Sequence, residues 1–184
     1  IQRKEFLCTM YYNGTLFSEK ICDKLNKLKN KKGINFKFNT LNSGFKKISA
    51  FKNFNIVCLN QEEHLSNKIK KFNLRSIELQ SKNLQKKQKF DKLILNLGKD
   101  GSKLLDRYKN KTYHCPPFAE KTNNKINLEC GLFAIAIILN GLTLSNSSIL
   151  FLGNYMTFLS LKDKSSIYKV NINDFFKHVQ HYIK

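Results

Sequence analysis

Several residue types and motifs are scarce in this chain, and their absence excludes common kinds of site. The 184 residues include no Trp, two Pro, eight Gly, and 13 acidic residues against 33 basic ones. The five Cys are widely spaced and form no C-x-x-C pair, so neither a zinc motif nor a dithiol motif is supported. The G-x-G-x-x-G dinucleotide motif and a phosphate loop ending in Gly-Lys-Ser/Thr are also absent.

Long apolar runs and flexible linkers are missing as well. The longest apolar stretch covers residues 131–142, which is too short to span a bilayer, and no signal peptide opens the chain. No linker rich in Pro, Gly or Ser divides the sequence, so a single domain over residues 1–184 is predicted. Together with the unpaired cysteine pattern, these features favour a reducing cytoplasm as the compartment.

The net charge of +20 is carried almost entirely by lysine. Arginine occurs only at Arg3, Arg75 and Arg107, which counts against sequence-specific DNA reading because arginine makes the bidentate base contacts. The 22 Asn, together with abundant Lys, Ile and Phe, are typical of an AT-rich genome, so part of the charge reflects composition. The surface should still attract nucleotides, nucleic acid, acidic glycans or anionic lipids.

Short apolar runs alternate with helical patterns along the chain. Strands are predicted over residues 5–12, 34–38, 54–59, 76–79, 90–97 and 148–152. Helices are predicted over residues 17–28, 61–72, 102–108, 129–142 and 173–183. This alternation predicts an α/β fold, a Rossmann-like and mostly parallel sheet of about five to six strands flanked by helices. Ligands bind such sheets beyond the carboxyl ends of the strands.

Two glycine-containing segments are candidate anion sites. Asn13 and Gly14 follow the first strand, and they form either a tight turn or a turn whose N–H groups approach a phosphate. Cys130 and Gly131 open the most apolar helix and could be a helix cap, an anion site or a catalytic cysteine. The last alternative resembles deubiquitinating proteases, but no Gln lies between residues 89 and 179 and the family's Trp is absent.

Histidines and aromatic residues leave further alternatives open. His178 and His181 lie three residues apart on the terminal helix and form either a solvated helix edge or a weak metal pair. Phe36, Phe38 and Phe45 are interleaved with lysines. They fit ordinary half-buried strands, or stacking against single-stranded bases between phosphate contacts.

The order of these features resembles the bacterial sialyltransferases of glycosyltransferase family 42. Residues 13–16 (NGTL) are similar to that family's N-G-P-S-L turn, and Asn39 and Asn60 end strands as the family's nucleotide-binding asparagines do. Lys125 and residues 130–136 (CGLFAIA) are similar to its R-I-T-S-G segment and the following helix. Residues 148–153 are similar to the next strand, which ends in glycine.

The resemblance implies inverting transfer of sialic acid from CMP-sialic acid to a glycan or glycolipid acceptor, without a metal or other cofactor. The substrate-binding residues that it implies are Asn13, Gly14, Asn39, Asn60, Lys125, Cys130, Gly131 and Tyr155. Residues 154–171 form only a shortened lid-like segment, and residues 168–171 are similar to the family's H-S-K-N string without its histidine. Catalytic roles therefore fall to Tyr168 and His178.

Two other hypotheses about the function stay open beside sialyl transfer. One is a catalytically degenerate relative that binds a nucleotide or glycan, and the other is a basic nucleic-acid-binding domain. The basic surface would also allow peripheral contact with an anionic inner membrane. Whether the chain forms a homo-oligomer is left open by the sequence.

Overall fold

A computed structural model of the protein describes residues 7–12, 19–29, 31–36, 48–60, 74–118 and 143–162, with residues 173, 176, 177 and 180. Its strands are β1 (Leu7–Tyr12), β2 (Lys32–Phe36), β3 (Ile56–Asn60), β4 (Lys92–Asn96), β5 (Ser102–Asp106) and β6 (Lys111–Cys115). Its longer helices are α1 (Glu19–Lys27), α2 (Leu74–Gln88) and α3 (Asn146–Lys162). Short 3-10 turns cover Ile48–Ala50 and Gly98–Asp100.

The six strands form one sheet in the order β1-β2-β3-β4-β5-β6. The first four strands are parallel, and β5 and β6 are added antiparallel. The predicted mostly parallel α/β sheet is therefore confirmed. Because β1 to β4 run in one direction, their starts meet at one edge, here called the amino edge. Their ends meet at the opposite edge, here called the carboxyl edge.

Alternating side chains on the strands pack against helices on both faces of the sheet. Val57 of β3 clusters with Leu25 of α1 and Ile77 of α2 on one face. Its neighbour Ile56 clusters with Ile149 of α3 on the other face. Since consecutive side chains of a strand point to opposite faces, a strand buried on both faces reads as a continuous apolar run. The run at residues 54–59 is of this kind, which is why β3 was predictable.

Three sequence-based assignments of secondary structure are wrong. Residues 102–108 were predicted as a helix, but residues 102–106 form β5, which pairs with both β4 and β6. The run is too short for periodicity to separate helix from strand, and tertiary pairing decides. Residues 76–79, predicted as a strand, lie in α2. Four α2 residues at helical spacing are buried: Ile77, Ser81, Gln85 and Gln88.

The third wrong assignment is the strand predicted over residues 148–152, which lie inside α3. Ser145 caps this helix, because its Oγ accepts a hydrogen bond from the backbone N–H of Ser148 at 3.0 Å. The helix continues through Gly153, which is buried one turn after the buried Ile149. Residues 154–162 of the expected lid-like segment also belong to α3.

The remaining predicted elements agree with the structure or lie outside the described residues. Predicted strands match β1, β2, β3 and β4, and the helix predicted over residues 17–28 matches α1. The helices predicted over residues 61–72 and 129–142 lie outside the described residues. In the terminal helix predicted over residues 173–183, the four described positions are helical. None of the helices in the described ranges is long and apolar enough to cross a membrane.

An ionic network joins α2 to the antiparallel end of the sheet. Glu78 of α2 accepts hydrogen bonds from Lys82 and from Lys103 of β5 at 3.0 Å each. It also accepts one from Thr112 of β6 at 2.9 Å. Burial opposes ionisation of this carboxyl, but the bonds from Lys82, Lys103 and Thr112 outweigh it and lower its pKa from 4.5 to about 2.

We expect this network to make the protein sensitive to acid. Because the pKa of Glu78 is depressed on folding, its contribution to stability is complete above about pH 4.5 and is lost as the pH falls toward 2. Glu78→Gln should therefore flatten the dependence of the urea midpoint on pH in this window. Asp23→Asn on the exposed surface of α1 is the matched control. An equal flattening in both variants would contradict the assignment.

Candidate functional site

The carboxyl edge of the sheet is where a parallel α/β fold binds its ligands. β3 ends at Asn60 and β4 ends at Asn96, and the two residues are register partners in the parallel ladder. Two asparagines therefore end neighbouring strands at the same level of this edge. Asparagine offers both an amide donor and a carbonyl acceptor, which suits the hydroxyl and phosphate groups of a nucleotide.

A glycine turn follows Asn96 and leads into β5. The Asn96 Oδ1 accepts a hydrogen bond from the backbone N–H of Gly98 at 3.0 Å. The Leu97 N–H donates to the Gly101 carbonyl at 2.8 Å, and the Gly101 N–H donates to the Gly98 carbonyl at 3.0 Å. Gly98 has φ +60, and a Cβ built on it would meet no atom of the described residues within 4 Å. This turn therefore offers bare backbone to the space beyond the carboxyl edge.

Behind the turn, the start of β5 and the end of β6 are closely tied to the rest of the fold. The His114 Nε2 lies 3.1 Å from the Asp100 carbonyl. The Asn154 side-chain amide of α3 donates to the carbonyls of Cys115 and Pro116 at 3.3 Å each. These contacts give the glycine turn a firm support, as a ligand-binding loop requires.

The cysteine at this edge is not poised for nucleophilic chemistry. Burial raises the pKa of the Cys115 thiol, although the hydrogen bond from Asn154 opposes the shift. Cys22 and Cys58 are also buried, as the apolar run around Cys58 predicts. Among the described residues, no three His, Cys, Asp or Glu side chains lie together as metal ligands, so no metal is assigned to this site.

Two of the predicted site residues lie in the described part of the chain. Asn60 lies at the carboxyl end of β3, as predicted. Tyr155 lies on α3, is 2% exposed, and its ring packs edge-on against Phe118 with the ring centres 5.7 Å apart. The other predicted site residues lie outside the described residues, and their roles stay predictions: Asn13, Gly14, Asn39, Lys125, Cys130, Gly131, Tyr168 and His178.

Sequence reasoning missed Asn96 and the glycine turn. The segment 96–101 reads NLGKDG and stands between two apolar runs. Two glycines within a short loop that separates two strand-like runs are a hairpin signal. Interpreting residues 102–108 as a helix concealed this signal, because the hairpin needs a strand on each side.

Comparisons with known proteins identify the fold. No family model and no curated protein matches the sequence. A mutant of phosphofructokinase-2 from Escherichia coli is similar over 90% of this chain and 52% of its own, with 11% identity and a TM-score of 0.66. Ribokinase from Arabidopsis thaliana, complexed with ribose and ATP, is similar over 80% and 46%, with 12% identity and a TM-score of 0.57.

A nucleoside kinase from Methanocaldococcus jannaschii, an archaeal member of the ribokinase family, is similar over 89% of this chain and 52% of its own. Its identity is 13% and its TM-score is 0.55. The chain has the fold of these kinases. It spans about half of their length.

These structures overturn the resemblance to family 42 sialyltransferases. The similar structures are carbohydrate and nucleoside kinases, so the predicted sialyl transfer is wrong. The CMP-sialic acid donor and the glycan or glycolipid acceptor are wrong with it. The motifs behind the resemblance were short turns and strands ending in asparagine, which an asparagine-rich parallel sheet contains for local reasons. The degenerate glycan-binding relative, the nucleic-acid-binding domain and the membrane contact gain no support from these structures.

Proposed function

We propose that this chain is the nucleotide-binding part of a sugar or nucleoside kinase and that it binds ATP at the carboxyl edge of β3 and β4. The proposal rests on the likeness in fold together with the geometry of this chain's carboxyl edge. Nine-tenths of the chain is similar to phosphofructokinase-2. Its carboxyl edge has two adjacent asparagines and an open glycine backbone.

The known ligands of the similar structures support this class of substrate. The Arabidopsis ribokinase structure holds ribose and ATP, and a phosphofructokinase-2 structure holds fructose 6-phosphate. At 11–13% identity these ligands do not transfer residue by residue. We therefore assign the nucleotide to the edge that parallel sheets use, and we infer the phosphate acceptor only as a sugar or nucleoside.

The chemistry of the edge suits a nucleoside triphosphate. Phosphoryl transfer depends mainly on positioning and on electrostatic stabilisation of the phosphate oxygens. The backbone at Gly98 can come close to a ligand because no Cβ shields it, while the N–H groups of Gly98 and Gly101 are bonded within the turn. The net charge of +20 raises the local concentration of a polyanion such as ATP. Asn60 and Asn96 would position the nucleotide by hydrogen bonds.

Calorimetric titration of the protein with Mg-ATP, CMP and GTP tests the binding step. We expect ATP to bind and CMP to bind more weakly or not at all. A coupled assay with ribose, fructose 6-phosphate and adenosine then tests phosphate transfer, a property of the complete kinase. If no nucleotide binds while the protein remains folded, the proposal fails.

Asn96→Ala should weaken ATP binding about tenfold, which corresponds to about 1.4 kcal/mol. The variant removes an amide from the carboxyl edge and the acceptor of the Gly98 N–H. Asn83→Ala is the matched control, because Asn83 is exposed on α2. Both variants are to be compared by calorimetry after their melting temperatures have been recorded. Equal ATP affinity in both would show that the nucleotide lies elsewhere.

A further inference from the structure

The amino edge of the sheet carries a group of exposed lysines. They lie in the last turn of α2, in the turns that lead into β2, β3 and β4, and in the tip between β5 and β6. Six exposed lysines of this edge are together called the basic rim: Lys29, Lys31, Lys52, Lys87, Lys89 and Lys109.

The turns of the basic rim are joined directly to one another by backbone hydrogen bonds. The Asn55 N–H donates to the Lys32 carbonyl at 2.9 Å, which joins the start of β3 to the start of β2. The Asn53 N–H donates to the Gln88 carbonyl at 2.9 Å, which joins the turn before β3 to the end of α2. Turns that carry lysines far apart in the sequence are therefore held next to one another at this edge.

The carboxylates of these turns do not neutralise the rim. Asp91 Oδ1 binds the Arg107 guanidinium at 2.9 Å, and its Oδ2 accepts a bond from the Asn55 amide at 2.8 Å. The side chain of Asp106 is 4% exposed and binds Lys92 at 3.2 Å. Both carboxylates are thus occupied by other cations or amides, and the exposed lysines keep their charge toward solvent.

Stabilisation of a helix dipole accounts for the position of only some of the lysines in the basic rim. Lys87 lies in the last turn of α2, where a cation stabilises the helix dipole. Lys31, Lys52 and Lys109 lie outside helices and gain nothing from that effect. Lys89 has φ +58, a left-handed conformation in which glycine or asparagine would be less strained. A lysine at this position therefore has a higher conformational energy than a glycine would have.

An exposed aromatic side chain stands at the end of the rim. Tyr108, in the tip between β5 and β6, is 75% exposed. The Arg107 guanidinium lies 4.9 Å from its ring centre and donates to its hydroxyl at 3.1 Å. Asp106 Oδ1 accepts the backbone N–H groups of Tyr108 and Lys109 at 3.0 Å each. The tip therefore holds its tyrosine in place before any partner binds, which lowers the entropic cost of binding.

We propose that the basic rim and Tyr108 form a docking surface for an acidic segment of a partner protein, opposite the nucleotide edge. Lysines act as point charges that pair with carboxylates in many geometries, and a rigid tyrosine beside an arginine is typical of interface hot spots. A single-stranded nucleic acid would need several stacking aromatics, whereas the turns of this edge expose Tyr108 alone among the described residues. The proposal does not depend on kinase activity.

Binding of a fluorescein-labelled glutamate-rich peptide, measured by anisotropy on the whole chain, tests the surface. The double variant Lys89→Asn/Lys109→Gln should weaken binding about tenfold. Lys20→Gln/Lys24→Gln removes the same charge from exposed positions on α1, outside the rim, and should change binding less than about twofold. Tyr108→Ser leaves the net charge unchanged and should still weaken binding severalfold.

Three outcomes would overturn the proposal. Equal weakening by the two double variants would mean that only the net charge matters. Unchanged binding by Tyr108→Ser would remove the aromatic anchor. Tighter binding of a single-stranded oligonucleotide, or of vesicles containing phosphatidylserine, through the same lysines would identify a nucleic acid or a membrane as the partner instead. Melting temperatures of all variants check that each remains folded.

Discussion

Replacing Gly101 by alanine should destabilise the protein by about 3 kcal/mol or more. A Cβ on Gly101 would lie 2.1 Å from the Cys115 carbonyl oxygen and 2.9 Å from the Pro116 carbonyl carbon. Both obstacles are backbone atoms, so no side-chain rotation relieves the clash. Gly101 also has φ 78 and ψ −135, a region that is almost exclusive to glycine. β6 would have to move away from the turn.

Gly98→Ala is the matched control for this prediction. Gly98 also has a positive φ, +60, but a Cβ there meets no described atom within 4 Å. Only the conformational cost remains, about 1 kcal/mol. Urea unfolding followed by circular dichroism measures both losses. If the two variants lose the same stability, the close approach of β6 to Gly101 is not what requires glycine.

Gly101→Ala and Gly98→Ala also distinguish a structural role of the glycine turn from direct contact with the nucleotide. If ATP lies over the glycine turn, a methyl group on Gly98 should weaken its binding, because the group enters the space beyond the carboxyl edge. The Gly98 variant should then lose affinity for ATP at a small loss of stability. The Asn83→Ala variant on α2 should lose neither.

The parallel part of the fold was predictable because its strands are buried on both faces. Residues 54–59 and 90–97 read as apolar runs of strand length, and β3 and β4 lie within them. Two of the errors fall on residues 102–108 and 148–152, and their causes differ. Residues 102–106 become a strand because β4 and β6 pair with them. Residues 148–152 become helical from the Ser145 cap onward.

The candidate site was predictable only in part. Asn60 was singled out because it ends a recognisable strand, and the structure places it at the carboxyl edge. Asn96 lies inside the strand predicted over residues 90–97 and ends it only in the structure, and the wrong helix conceals the glycine turn after it. The pairing of Asn60 with Asn96 depends on strand order, which sequence periodicity does not contain.

The positions of the lysines in the fold also affect how the net charge is interpreted. The sequence is rich in lysine, and the fold decides where the lysines are collected. Lys31, Lys52, Lys89 and Lys109 lie 78 positions apart from first to last, and only the consecutive strand order brings their turns to one edge. The described turn at the carboxyl edge holds Asn96, Gly98 and Gly101, with Lys99 between the two glycines. The nucleotide and the acidic partner that we propose would bind at opposite edges.

Removing the carboxylate of Asp106 should destabilise the protein by about 3–5 kcal/mol. Its Oδ2 accepts a bond from the Asn146 amide at 2.8 Å and binds the Lys92 ammonium at 3.2 Å, which links β5, α3 and β4. Its Oδ1 holds the N–H groups of Tyr108 and Lys109. Asp106→Ala leaves the Lys92 cation without a carboxylate and three buried or half-buried N–H donors without this acceptor.

Asp91→Ala provides the comparison, because Asp91 also binds a cation at the amino edge but is more exposed. Its pair with Arg107 has side chains that are 21% and 29% exposed, against 4% for Asp106, so we expect a loss of about 1 kcal/mol. Urea unfolding at neutral pH measures both losses of stability.

Burial opposes ionisation of Asp106, but the bonds from Lys109, Asn146 and Lys92 lower its pKa, so its contribution to stability should disappear in acid. The difference between Asp106→Ala and the unchanged protein should therefore shrink as the pH falls below about 4. A loss no larger than that of Asp91→Ala, or one that persists in acid, would mean that the Asp106 carboxylate does not hold β4, β5 and α3 together.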